Sequence, residues 1–196
     1  MAKPFLSVVI PITSNDKNLP LVLVDLDRNL SKEEYSSEII VSNVGANPEL
    51  SEVVKNIAQT IKNLKLVESE PDASLGSAIR QAMLLASGNI RLLALSGRSI
   101  PVDQLKTMIP HFKSGADLVF GARTLDDQNS RLPLRFILSK SADLFARLFV
   151  KDVKDPFSDF VAVSEEATEK IFNDFKPVSK LINLRILFAA KKKIAR

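Results

Sequence analysis

The sequence has no cysteine and no tryptophan, and only one histidine (His111), one tyrosine and six glycines in 196 residues. Without cysteine there can be no disulfide, thiolate metal site or cysteine nucleophile, and a single histidine rules out a multi-histidine metal site. No apolar run reaches the length of about 18 residues that would span a bilayer. The opening MAKPFLSVVIPI runs straight into a strand pattern and lacks the charged, apolar and small-residue order of a secretion signal. A cytoplasmic protein is the expectation. Aromatics make up 6% of the chain and are not interleaved with its basic residues, so nucleic acid is not an expected partner. The net charge of +4 would matter only where basic residues cluster.

What is present is an alternation of short apolar runs with helical spacing, in a chain long enough to bury one sizeable core. LSVVIP at 6–11 reads as a strand, Thr13-Ser14-Asn15-Asp16 as a turn-and-cap cluster, and NLPLVLVDLDRNL as a helix. EIIVSNV at 38–44 is a second strand. Asn47-Pro48 then caps a helix with an apolar stripe of Leu50, Val53, Val54, Ile57, Ala58 and Ile61. Further strands are expected at 64–67, 90–95, 118–121 and 160–163. Helices are expected at 75–87, with Gly88 as a left-handed cap, at 101–114 stopping at Gly115, at 134–149, at 164–172 behind Ser164, and at 178–193. The pattern predicts an α/β fold whose mostly parallel sheet is covered by helices on both faces.

The pieces LSVVIP, KNLP, EIIV, KNIAQTIKNLKLVE, GSAIRQAM, SGNIRLLALSGRSIP, DLVFGAR, LSKSADLFARL and KDPFSDF, in this order, resemble family-2 glycosyltransferases of GT-A fold. The nearest are the dolichyl-phosphate mannose (polyprenyl-phosphate sugar) synthases. The resemblance covers nearly the whole chain and implies a single GT-A domain over 1–196, with a nucleotide-binding-type half at 1–123 and an acceptor-type half at 124–196. It also implies a nucleotide-sugar donor, a divalent cation bridging its diphosphate, and a polyprenyl phosphate acceptor. Hard cations such as Mg²⁺ and Mn²⁺ take carboxylate oxygens, so that chemistry needs acids at strand ends.

Position by position, the acids are missing. Where the family carries an acid after its first strand this chain has Asn15, with Asp16 surviving beside it. The nucleoside-gripping D-D-G-S is Asn43-Val44-Gly45-Ala46, and N-x-G-K-G is Asp72-Ala73-Ser74-Leu75-Gly76. The metal-binding D-x-D is Leu95-Ser96-Gly97, and Arg185 falls in the place of the F-D-x-E motif. Framework positions do match: Pro11, Gly45, Gly76, Ala78, Pro101, Gly121, Arg123 and Pro156. Loss at Asn15, Asn43, Val44, Leu95, Gly97 and Arg185 beside a kept scaffold implies that no catalytic acid, metal site or cofactor remains.

Other residues could compose a replacement site. Asp126-Asp127 is the one adjacent aspartate pair, which reads more simply as solvated loop charge. Asp16 with Asp155 or Asp159 could form a new cation site, but Asp16 as a helix cap and Asp155-Pro156 as a turn is the simpler reading. Ser96 and Ser99 lack the elbow spacing of a nucleophile, and His111 has no partner acid at a fixed spacing. Gly76, at a helix start, could offer N–H groups to a phosphate. The basic residues Arg131, Arg135, Lys140, Arg147, Lys151 and Lys154 face two acids over the same stretch. They flank an amphipathic helix, in a region that the resemblance places toward membrane and lipid phosphate.

The sequence therefore reads as a glycosyltransferase-like domain without transfer activity, with Arg123, Arg131, Arg135 and Lys140 as candidate substrate-binding residues. The candidate partners are an anionic lipid or membrane surface, with the protein peripheral to it, and an active glycosyltransferase paralogue. The alternative is an active, metal-independent glycosyltransferase in which Arg123, Arg131 and Arg135 neutralise the donor diphosphate. A structural assembly module is the third class.

Overall fold

The computed structural model describes residues 3–13, 17–95, 102–121 and 158–173 together with Ile186. The elements are β1 (Leu6–Ile12), α1 (Leu19–Leu30), β2 (Ser37–Asn43), α2 (Pro48–Ala58), β3 (Leu64–Glu68), α3 (Leu75–Leu85), β4 (Ile90–Ala94), α4 (Val102–Lys113), β5 (Leu118–Phe120), β6 (Phe160–Ser164) and α5 (Glu165–Phe172). The strands form one sheet in the order β3-β2-β1-β4-β6-β5. β3, β2, β1 and β4 run parallel, and β6 lies antiparallel between β4 and β5.

The period-two alternation of the strands divides the core into two layers. Leu6, Val8 and Ile10 of β1, Ile39 and Val41 of β2, and Leu92 of β4 pack with Leu19, Leu23, Leu26 and Leu30 of α1, Leu50 and Val54 of α2, and Leu105 and Met108 of α4. On the other face Val9, Ile40 and Leu93 pack with Ile79, Ala82 and Met83 of α3, Ala167, Ile171 and Phe172 of α5, and Ile186. A sheet covered on both faces explains why LSVVIPI is buried at every position.

Helix starts follow local chemistry. The side chain of Asn47 accepts hydrogen bonds from the N–H groups of Glu49 and Leu50 (3.0 and 3.3 Å), with Pro48 in the first turn. Ser74 and Ser164 accept from Ser77 and Ala167, each at 3.2 Å. The cap position of α1 is held by Asn18, and Asp16 lies outside the described residues. Gly115 has φ +91°, the left-handed turn expected after α4.

Gly88 differs from expectation. α3 ends at Leu85 with Ala86 extended, and Gly88 is not among the residues of positive φ. It is glycine for want of room: a Cβ there would lie 2.6 Å from both the amide nitrogen and the Oγ of Ser7. The end of α3 is satisfied by tertiary partners instead. The Ser87 N–H donates to Glu38 Oε1 (2.6 Å) and the Gly88 N–H to Ser7 Oγ (2.8 Å). The Arg91 guanidinium donates to the carbonyls of Met83 (2.9 Å) and Gly88 (3.3 Å). Ser7, Glu38 and Arg91 thus form a buried polar row at the amino ends of β1, β2 and β4, on the α3 face.

Candidate functional site

In such sheets ligands lie beyond the carboxyl ends of the strands, at the point where strand order reverses. Here that point is the crevice between β1 and β4, flanked by the loop after β2. The first residue after β4, Leu95, carries the position of the expected metal-binding acid. Its side chain packs against the apolar layer that contains Leu93, Ile79 and Val161, and its N–H donates to the carbonyl of Asp159 at 2.8 Å. A side chain in that setting offers nothing to a hard cation.

Asn43 ends β2 and is fully buried. Its Nδ2 donates to the Asn47 carbonyl (2.8 Å) and Ser51 Oγ (2.9 Å), and its Oδ1 accepts from the Asn47 N–H (3.1 Å). The Ser69 hydroxyl donates to the Asn43 carbonyl and accepts from the Gly45 N–H, both at 2.9 Å. Gly45 and Ala46 take φ +77° and +50°, and the Val44 N–H bonds to the Ile12 carbonyl at 2.9 Å. The loops after β2 and β3 are therefore joined to each other, and the polar atoms of the Asn43 side chain are spent on Asn47 and on Ser51 of α2.

Hydrogen bonds from Ser51 and Lys55 hold the Glu68 carboxyl below the ordinary carboxylate range, with Lys55 3.2 Å away. Glu49, Glu70, Asp72 and Asp159 are likewise exposed near the carboxyl end of the sheet. Among the described residues, no group of three or more histidine or carboxylate side chains converges as a metal ion would require. The described residues therefore do not fit the divalent cation that the resemblance implies.

Of the other candidates, His111 is exposed, and Gly76 is buried in the first turn of α3. Asn15, Asp16, Ser96, Gly97, Ser99, Arg123, Asp126, Asp127, Arg131, Arg135, Lys140, Asp155 and Arg185 lie outside the described residues, as do the expected helices at 134–149 and 178–193 apart from Ile186. Sequence reasoning missed the roles of Ser51 and Ser69, whose partners are set by the fold. It also passed over the row of Ser7, Glu38 and Arg91. Its signal was a charged residue at the start of each of two apolar strands.

The fold is that of the GT-A glycosyltransferases. A mannosyltransferase from Pyrobaculum calidifontis, solved with GDP-Man and Mn²⁺, superposes with a TM-score of 0.64 at 18% identity, covering 98% of this chain and 53% of that one. Glucosyl-3-phosphoglycerate synthase from Mycobacterium tuberculosis gives 0.69 at 16% identity, covering 97% and 66%. By sequence the protein is glycosyltransferase-like, similar to dolichyl-phosphate sugar transferases. It is 27% identical over 182 residues to a dolichyl-phosphate β-glucosyltransferase of Trichomonas vaginalis, covering 87% of this chain and 56% of that protein. It is 25% identical over 190 residues to a dolichol-phosphate mannosyltransferase of Pyrococcus furiosus, covering 94% and 53%. The chain spans about half the length of these curated relatives. No protein-family model matches it. No helix among the described residues is long and apolar enough to cross a membrane.

Proposed function

We propose that this chain is a pseudo-glycosyltransferase: a GT-A domain that binds a partner or an anionic lipid surface and does not transfer sugar. The observation that supports the reading is the state of two of the three described positions where the resemblance expects acids, the third being Val44. Leu95 packs against the apolar layer, and the side-chain polar atoms of Asn43 are bonded to Asn47 and to Ser51 of α2. The exposed carboxylates Glu70, Asp72 and Asp159 add to it, because they would repel a donor diphosphate. The binding surface assigned to this function is the basic stretch with Arg131, Arg135 and Lys140. The partner is an anionic membrane surface or an active paralogous transferase that meets one.

The test is ligand-dependent stabilisation. A ligand at 100 times its dissociation constant raises stability by about 2.7 kcal/mol. The expected result is no rise in melting temperature with Mn²⁺ or Mg²⁺, alone or with GDP-mannose, UDP-glucose, GDP or UDP. Micromolar binding of any of these nucleotides by calorimetry would overturn the proposal and favour an active, metal-independent enzyme using Arg123, Arg131 and Arg135.

A further inference from the structure

Among the described residues the exposed large apolar side chains are Leu21, Val24 and Leu85, and two of them lie about one turn apart on α1. Leu21 is 63% exposed and Val24 41%. The same helix buries Leu19, Leu23, Leu26 and Leu30, which leaves Leu21 and Val24 on its outer side. Cations extend that line in both directions. Lys17 stands four residues before Leu21, Arg28 four after Val24 and Lys32 four after Arg28, and all three are exposed. None of them is in an ion pair among the described residues. By contrast Lys55 of α2 and Lys106 of α4, the helices that contact α1, are each held by a carboxylate, at 3.2 and 3.1 Å. The acids of α1 are Asp25, exposed, and Asp27, half-buried, and they fall to either side of the line.

This pattern selects its occupant. Two such helices packed antiparallel in a pair of copies would set Lys17 against Lys32, and two apolar side chains from each copy fall far short of the about 800 Å² per partner in a stable interface. A bilayer needs no such area: a small apolar pair enters the headgroup boundary while flanking cations meet phosphates. We propose that the outer side of α1 is a membrane-docking face, on which Leu21 and Val24 enter an anionic bilayer surface and Lys17, Arg28 and Lys32 meet its phosphates. The inference rests on the reading of the protein as a binder of anionic lipid, and adds a contact separate from the stretch with Arg131, Arg135 and Lys140. Two weak contacts together make an attachment that one does not.

The chain has no cysteine, so one introduced cysteine in the full chain can carry an environment-sensitive fluorophore. Val24→Cys is compared with Glu166→Cys, an exposed position of α5 on the opposite face of the sheet, using phosphatidylcholine vesicles with and without phosphatidylserine. With phosphatidylserine the label at 24 should brighten and shift to the blue while the label at 166 stays unchanged. Unlabelled Leu21→Asn combined with Arg28→Glu should keep the wild-type melting temperature and lose at least about tenfold in vesicle affinity. Co-sedimentation with a silent label at 24 would overturn the α1 face and leave the lipid partner standing. No co-sedimentation at all would remove that partner and the α1 face with it. A blue shift at 24 that grows with protein concentration in the absence of vesicles would assign the face to a second copy and overturn the proposal.

Discussion

Lys65 and Ser7 meet at one carboxylate: the Lys65 ammonium donates to Glu38 Oε2 and the Ser7 hydroxyl to Glu38 Oε1, each at 2.6 Å. Burial by itself would push the Glu38 carboxyl up. The hydrogen bonds from Lys65, Ser7 and the Ser87 N–H, with the charge of Lys65, outweigh it and leave the group below its ordinary value of 4.5. β1, β2, β3 and the end of α3 are thereby tied to one side chain.

The pH dependence follows from the sign of that shift. With the folded value depressed, the stabilisation is present in full above the ordinary carboxylate range and is lost as pH falls through the folded-state value. Glu38→Gln should cost about 1–3 kcal/mol at neutral pH. It should also flatten the fall in stability below about pH 4.5. Urea unfolding across that range measures both, and an equally steep acid limb in wild type and variant would contradict the assignment.

Gly88→Ala should destabilise although alanine is the smallest possible addition. The new methyl would meet backbone and hydroxyl atoms of Ser7 at 2.6 Å, in a core strand that cannot yield. A loss of about 1–3 kcal/mol is expected, read from the urea midpoint. A neutral result would mean that the turn can move away from β1.

How far such features could be read in advance depends on how local they are. β1 and the Asn47-Pro48 start of α2 were legible, because an apolar β-branched run and a side-chain cap are written in adjacent residues. Gly88 was read as a helix cap, since glycine commonly follows a helix, while its actual constraint is Ser7, which is distant in sequence. The identity of Leu95 as an apolar residue was plain, but its packing depended on Ile79 and Val161. The place of β6 between β4 and β5 left no mark in the chain, because both its partners are chosen by tertiary pairing.

Leu95→Asp restores a carboxylate in name only. The group would enter the apolar layer shared with Leu93 and Ile79 and should cost at least about 2 kcal/mol. Mn²⁺ should not recover that loss in a thermal melt. Metal-dependent recovery would show that a cation site can be rebuilt around one acid, against the proposed function.

The proposed lipid-facing surface is testable by charge. Each basic residue close to an anionic bilayer contributes about 1 kcal/mol, screened by salt. Wild type should co-sediment with phosphatidylserine-containing liposomes at low salt and release as salt rises. Combined Arg131→Glu, Arg135→Glu and Lys140→Glu should abolish sedimentation. If wild type ignores such liposomes, the membrane surface is wrong as the partner.

The antiparallel strand β6 also governs how this protein can be made and cut. During synthesis β1 to β4 can pair as each emerges, but β4 keeps a bare edge and β5 stays without a partner until residues 160–164 leave the ribosome. A fragment ending at residue 123 would carry that bare edge permanently, a row of unpaired backbone groups open to other chains. The first half of the molecule is thus not a module that can be borrowed alone: its sheet is finished by the second.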